Sequence, residues 1–150
     1  MQHTVIKRYD GEKDYVVNSP VWGDIKNIFD HFCRQNKITY ETILRCSINQ
    51  THNMNDFSQS DPHVDHMEPH NVFLLYLNDC DGDTIVYDGA YSEIGKEQIM
   101  AGSDDFDELN ELGRFSPKMG TAICFNGDHY HANEFCRANE RRIVSVLTFK

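Results

Sequence analysis

The sequence predicts a mainly β domain, a sandwich or barrel of short strands buttressed by one substantial helix. Two observations carry this. Apolar and polar residues alternate with a period of two in several short segments separated by turn residues, whereas only one segment holds a long stripe of period 3.6. One helix and many short strands bury their apolar faces most simply as facing sheets with the helix packed outside.

Thr4 to Val17 is expected to form one or two short strands about a turn at Asp10-Gly11. Ser19-Pro20 reads as an N-cap followed by proline at the first helical position. Ile25, Ile28, Phe29, Phe32 and Cys33 then place one apolar stripe on a helix ending near Asn36. From Ile38 the period changes: Ile38, Tyr40, Leu44, Cys46 and Ile48 alternate with Thr39, Glu41, Arg45 and Ser47, a long half-buried strand. Asn49 to Pro62 is polar and turn-rich. Val72 to Leu77 is a fully apolar strand, and Asp81-Gly82 is a hairpin signal leading into a strand over Thr84 to Tyr87. Gly89 to Pro117 reads as an irregular, acidic insert in which Asp104 to Glu111 present a solvated helix face. Within it Ser103 is placed to cap a short helix sharing Phe106, Leu109 and Leu112 on one face, with Gly113 at its left-handed end. Strands resume at Thr121 to Phe125, around Tyr130, and over Arg142 to Phe149.

The 150 residues suit a single domain, 1–150, with no internal boundary. Fourteen Lys and Arg against 24 Asp and Glu leave a net charge of −10, which argues against a protein that grips nucleic-acid phosphates or anionic membranes. The apolar run Val72 to Leu77 is far short of the roughly 20 residues of a membrane span, so a soluble, cytoplasmic protein is expected. Five cysteines with no Cys-x-x-Cys pair suggest reduced, mostly buried thiols rather than a disulfide framework or zinc ribbon.

Six of the eight histidines fall between His52 and His131, and the chemistry is sought there. In an extended chain His63 and Asp65 point to the same face, offering an imidazole and a carboxylate side by side. His131 is the best third ligand, with His129 a rival of the same strand parity; His66 and His70 flank the site. Two His and one carboxylate on one face of a metal leave the other face open, the arrangement of non-haem Fe(II) oxygenases.

Taken in order, His63-Val64-Asp65, Tyr76-Leu77-Asn78, Asp81-Gly82-Asp83-Thr84, Ser116-Pro117-Lys118-Met119-Gly120, His131-Ala132 and Arg142 resemble the Fe(II)/2-oxoglutarate-dependent dioxygenases. The resemblance spans about Arg45 to Phe149 and is greatest to the compact prolyl 4-hydroxylase-like branch. It implies a double-stranded β-helix, a cupin-like jelly-roll, with Fe(II) held by His63, Asp65 and His131. It further implies that Arg142 holds the distal carboxylate of the cosubstrate 2-oxoglutarate, with the Tyr76 hydroxyl beside it. Arg141 remains a competing anchor, although Arg142, Val144, Val146 and Thr148 would then share one face. The implied reaction consumes O2 and 2-oxoglutarate, releases succinate and CO2, and hydroxylates an amino-acid side chain. Proline in a peptide or protein is the leading substrate, a small amino-acid-like molecule another. A non-catalytic jelly-roll binding module and a zinc hydrolase are the competing readings.

Overall fold

A computed structural model describes residues 1–8, 14–54, 57–100, 102–137 and 141–150. In chain order the elements are β1 (Gln2–Arg8), β2 (Tyr15–Val17), α1 (Trp22–Asn36), β3 (Ile43–His52), β4 (Asn71–Tyr76), β5 (Thr84–Ala90), α2 (Tyr91–Ile94), α3 (Asp104–Asp107), β6 (Glu111–Phe115), β7 (Ala122–Asn126), β8 (His129–Asn133) and β9 (Arg141–Phe149). They form a six-stranded sheet, β2-β1-β3-β9-β4-β7, and a three-stranded sheet, β6-β5-β8, all described pairings being antiparallel. This is a jelly-roll, with α1 on the outer face of the larger sheet. The turn expected at Asp10-Gly11 lies outside the described residues.

The alternation of β9 divides the molecule. Leu147 and Phe149 face α1, joining Val5, Ile6, Cys46, Phe73 and Leu75 around Trp22, Ile25, Phe29 and Cys33. Phe29 is fully buried, its ring 5.0–5.2 Å from those of Tyr40, Phe73 and Phe149. Val144 and Val146 face the other way and pack with Val72, Leu74 and Tyr76 between the sheets. A third cluster, Val64, Ile85, Tyr87, Ile99, Tyr130 and Ala132, receives Tyr91, Ile94, Phe106 and Leu109 from the 89–117 insert.

Several elements depart from the sequence pattern. The helix starts at Trp22 because the Trp22 N–H bonds the Ser19 carbonyl at 3.2 Å, closing a turn over Ser19-Pro20 before the first α-helical bond. Ile28 of its stripe stays exposed. β3 begins at Ile43, since Lys37 takes a left-handed conformation (φ 56°) and the N–H groups of Glu41 and Thr42 bond the Lys150 carbonyl. It continues to His52 along β9. Asp81-Gly82 makes no hairpin: β4 lies in the larger sheet and β5 in the smaller, so the segment crosses between them. Gly82 is required there because a Cβ would sit 2.7 Å from the Glu134 carbonyl oxygen. The helix after Ser103 lasts one turn; Asn110 then bonds Asp88, and Leu112 and Gly113 enter β6.

Candidate active site

On β3 and β9 the space between the sheets is lined by residues of one parity. β9 supplies Arg142, Val144 and Val146, and their cross-strand partners on β3 are Thr51, Asn49 and Ser47. From the smaller sheet come Thr84 of β5 and His131 and Asn133 of β8, and His63 and Asp65 enter from the loop before β4. The resulting cavity is lined by His63, Asp65, His131, Thr84, Asn49 and Arg142 among others.

His63, Asp65 and His131 converge, each offering a ligand atom within 4.8 Å of the others. Backbone pairing of His63 with His131 fixes this approach, their N–H and C=O groups exchanging two bonds of 3.0 Å. The His63 Nδ1–H donates to the Asp61 carbonyl (3.1 Å) and that of His131 to the His129 carbonyl (3.4 Å). A carbonyl only accepts, so both rings are set in the tautomer that leaves Nε2 with a free lone pair. Burial, reinforced by His63, pushes the His131 imidazole down to about 4, keeping it neutral at ordinary pH.

Asp65 is held from the opposite side. Arg45 Nη2 donates to its Oδ1 at 2.5 Å, while Oδ2 is buried with no hydrogen-bond partner and lies 3.7 Å from His131 Nε2. Burial works against the carboxylate, but His131, Arg45 and His63 outweigh it and hold its pKa below the ordinary value. An unpartnered buried carboxylate oxygen beside two imidazole lone pairs is a donor set that suits a divalent cation.

Across the cavity Arg142 is 4% exposed. Its Nε donates to the Gly82 carbonyl (3.0 Å) and its Nη2 to Thr84 Oγ1 (2.6 Å). No carboxylate lies in ion-pair range among the described residues. Burial lowers its pKa, but a guanidinium remains charged, and its remaining N–H donors form a fork suited to an anion. Arg141, of opposite parity, is exposed and contributes its carbonyl to Asn78, so of the two neighbours Arg142 faces the cavity.

Tyr76 is fully buried and lies directly against Arg142, whose guanidinium carbon is 5.8 Å from its ring centre. Its hydroxyl donates to Thr84 Oγ1 at 2.8 Å, the atom that also accepts from Arg142. The Phe115 carbonyl, 3.4 Å away, is a second acceptor within reach of the Tyr76 hydroxyl. Thr84, Arg45, Asn49 and Thr51 were not singled out as site residues by the sequence; Asn49 Oδ1 and Thr51 Oγ1 are also buried without a partner. Strand parity would have found the β3 residues, because Arg142 pairs with Thr51. His129 remains outside the triad. His66 instead bonds Thr148 Oγ1, and its ring lies 4.9 Å from that of His70. Asp79 accepts from the Met119 N–H and Asp81 from the Arg137 N–H, so both aspartates tie loops together.

No protein-family model matches the sequence, and no curated protein matches it. Solved structures do match by fold. A 2OG-Fe(II) oxygenase family oxidoreductase from Burkholderia pseudomallei aligns with 99% of this chain and 67% of its own, at 21% identity and a TM-score of 0.62. The shared architecture is the double-stranded β-helix. SnoN, a non-heme alpha-ketoglutarate-dependent epimerase from nogalamycin biosynthesis, aligns over 98% of this chain at 11% identity and a TM-score of 0.63. This chain spans only 63% of SnoN. AviO1 from Streptomyces viridochromogenes aligns over 96% of this chain and 71% of its own, at 9% identity and a TM-score of 0.56. Among the described residues no helix is long and apolar enough to cross a membrane.

Proposed function

We propose that this protein is an Fe(II)- and 2-oxoglutarate-dependent oxygenase. The observation that carries the reading is the pairing, in one cavity, of a three-ligand cluster with a buried arginine that has no carboxylate partner among the described residues. His63, Asp65 and His131 would hold Fe(II), and bound iron with 2-oxoglutarate supplies O2 activation coupled to release of succinate and CO2. Arg142 would clamp the distal carboxylate of 2-oxoglutarate, and Thr84 would donate its hydroxyl proton to the same group. Tyr76 acts through Thr84, fixing its hydroxyl. The apolar wall of Leu74, Val144 and Val146 excludes water from the cosubstrate, which strengthens these charge contacts.

The reaction class we favour is hydroxylation of an amino-acid side chain, foremost proline in a peptide or protein. The prolyl 4-hydroxylase-like order of motifs supports it, and the net charge of −10 favours a neutral or basic peptide over a nucleic acid or anionic membrane, in keeping with a cytoplasmic protein. The test is succinate formation from 2-oxoglutarate with added Fe(II), by the wild type and by Asp65→Ala. Turnover by the wild type alone is expected; equal turnover by both would overturn the triad.

A further inference from the structure

Two of the five cysteines sit against the arginine just described. Cys80 lies on the crossing between β4 and β5 and is half-buried; Cys136 follows β8 and is 1% exposed. Both are free thiols, and Cys80 lies near enough to Cys136 to add to the upward shift that burial gives its thiol. The segments that carry them are clamped on both sides: the Glu134 N–H donates to the Asp83 carbonyl at 2.8 Å, and the Arg137 N–H to the Asp81 carboxylate at 3.1 and 3.2 Å. Gly82 lies between them and Arg142. A Cβ on Gly82 would be 3.3 Å from Cys136 Sγ and 3.4 Å from Arg142 Cδ, and the Gly82 carbonyl accepts the Arg142 Nε–H.

We propose that Cys80 and Cys136 are an oxidative modification site, closing into a disulfide that weakens carboxylate binding at Arg142. The second half of this inference rests on the reading of Arg142 as a carboxylate anchor. The oxidant is hydrogen peroxide. The more accessible Cys80 sulfur attacks one peroxide oxygen; an S–O bond forms, the O–O bond breaks and water leaves. Cys136 sulfur then attacks the Cys80 sulfenic acid; the S–S bond forms, the S–O bond breaks and a second water leaves. The two thiols lose two electrons and two protons, and peroxide is reduced to water. Burial pushes the Cys136 thiol up to about 11, which suits the resolving partner rather than the first nucleophile.

Closure must shorten the sulfur–sulfur separation to roughly 2 Å. Neither segment can absorb that motion independently, because each is tied to the other and to Gly82. The displacement therefore reaches the carbonyl that orients the Arg142 guanidinium, whose fork geometry tolerates little misplacement.

The experiment treats the full chain, loaded with redox-inert Ni(II), with equimolar hydrogen peroxide. Thiols are then alkylated under denaturing conditions and mapped by peptide mass, and 2-oxoglutarate binding is measured by calorimetry. The expected map shows a Cys80–Cys136 linked peptide lighter by two hydrogens, with Cys33, Cys46 and Cys124 alkylated. The Kd for 2-oxoglutarate should rise roughly tenfold, recover with dithiothreitol, and be insensitive to peroxide in Cys80→Ser and Cys136→Ser. Alkylation of both cysteines after peroxide overturns the site, and a linked peptide with unchanged Kd overturns its coupling to Arg142. If the reduced protein fails to bind 2-oxoglutarate, the anchor reading and the coupling fall together, while the map still decides the disulfide.

Discussion

Arg45 Nη2 meets Asp65 Oδ1 at 2.5 Å and leaves the second carboxylate oxygen buried and aimed toward His131. One oxygen is thereby occupied by the protein, and the other is the one Asp65 would offer to a metal. Arg45 reaches Asp65 from β3, where its cross-strand partner is Thr148. Arg45→Met should weaken Co(II) or Fe(II) binding by about tenfold or more, since outer partners of metal ligands commonly act at that scale. Chelator-competition titration measures it. Tighter binding by the variant would show that the arginine acts mainly by charge repulsion.

Thr84→Val preserves shape and removes the hydroxyl shared by Tyr76 and Arg142. The buried Arg142 Nη2–H then loses its acceptor and Tyr76 keeps only the longer contact to the Phe115 carbonyl, at a cost of about 1–3 kcal/mol in stability. The KM for 2-oxoglutarate should rise about tenfold while metal affinity is unchanged, because the triad lies on other residues. Equal losses of metal and cosubstrate binding would indicate general damage to the cavity.

Phe29→Ala should destabilise the protein by about 3–5 kcal/mol, the usual result of emptying a fully buried aromatic position. The ring bridges α1 to Phe73, Tyr40 and Phe149, so the helix loses its hold on the larger sheet. Urea melts of the two proteins provide the comparison, and a difference below about 1 kcal/mol would mean the core closes over the gap.

The metal-free protein should lose stability as the pH falls from about 6.5 to about 4. Burial holds His131 near 4, His63 adding to it, and burial together with Arg45 and His70 holds His66 near 4. In the unfolded chain both rings titrate near 6.5, so there the unfolded state binds more protons. Their contribution is fully present above about 6.5 and is lost on descent through that window, up to roughly 3 kcal/mol for His131 and well below that for half-buried His66, whose charge water screens. Thermal melts of chelator-treated protein between pH 7 and pH 4 would show the slope. A flat profile would mean that the imidazoles ionise within the fold.

Much of this arrangement was legible in local pattern. The alternation of β9 places Arg142 with Val144 and Val146, and the His63, Asp65 spacing puts two ligand types on one face. What stayed hidden depends on the second sheet. Arg45 and Ser47 read as the polar side of a half-buried strand, yet Ser47 is fully buried, Arg45 reaches Asp65, and Asn49 and Thr51 of the same parity line the cavity. Thr84 is a commonplace strand residue whose importance arises only from Tyr76 and Arg142 meeting at its oxygen. Gly113 looked like a helix end because Phe106, Leu109 and Leu112 share helical spacing, but the chain pairs with β5 before a second turn can form. Asp81-Gly82 has the composition of a hairpin, and nothing local distinguishes a turn within one sheet from a passage between two.

The position of β9 also dictates the order in which the molecule can be assembled. It is the last of the described strands, yet it is inserted between β3 and β4, whose other partners among the described residues are β1 and β7. During synthesis these two half-sheets must wait with open edges until residues 141–149 emerge. Contacts of such long sequence separation make folding slow and leave the intermediate prone to edge pairing with other chains. Because the same strand carries Arg142, Val144 and Val146, the cavity they line has one wall missing until residues 141–149 are in place.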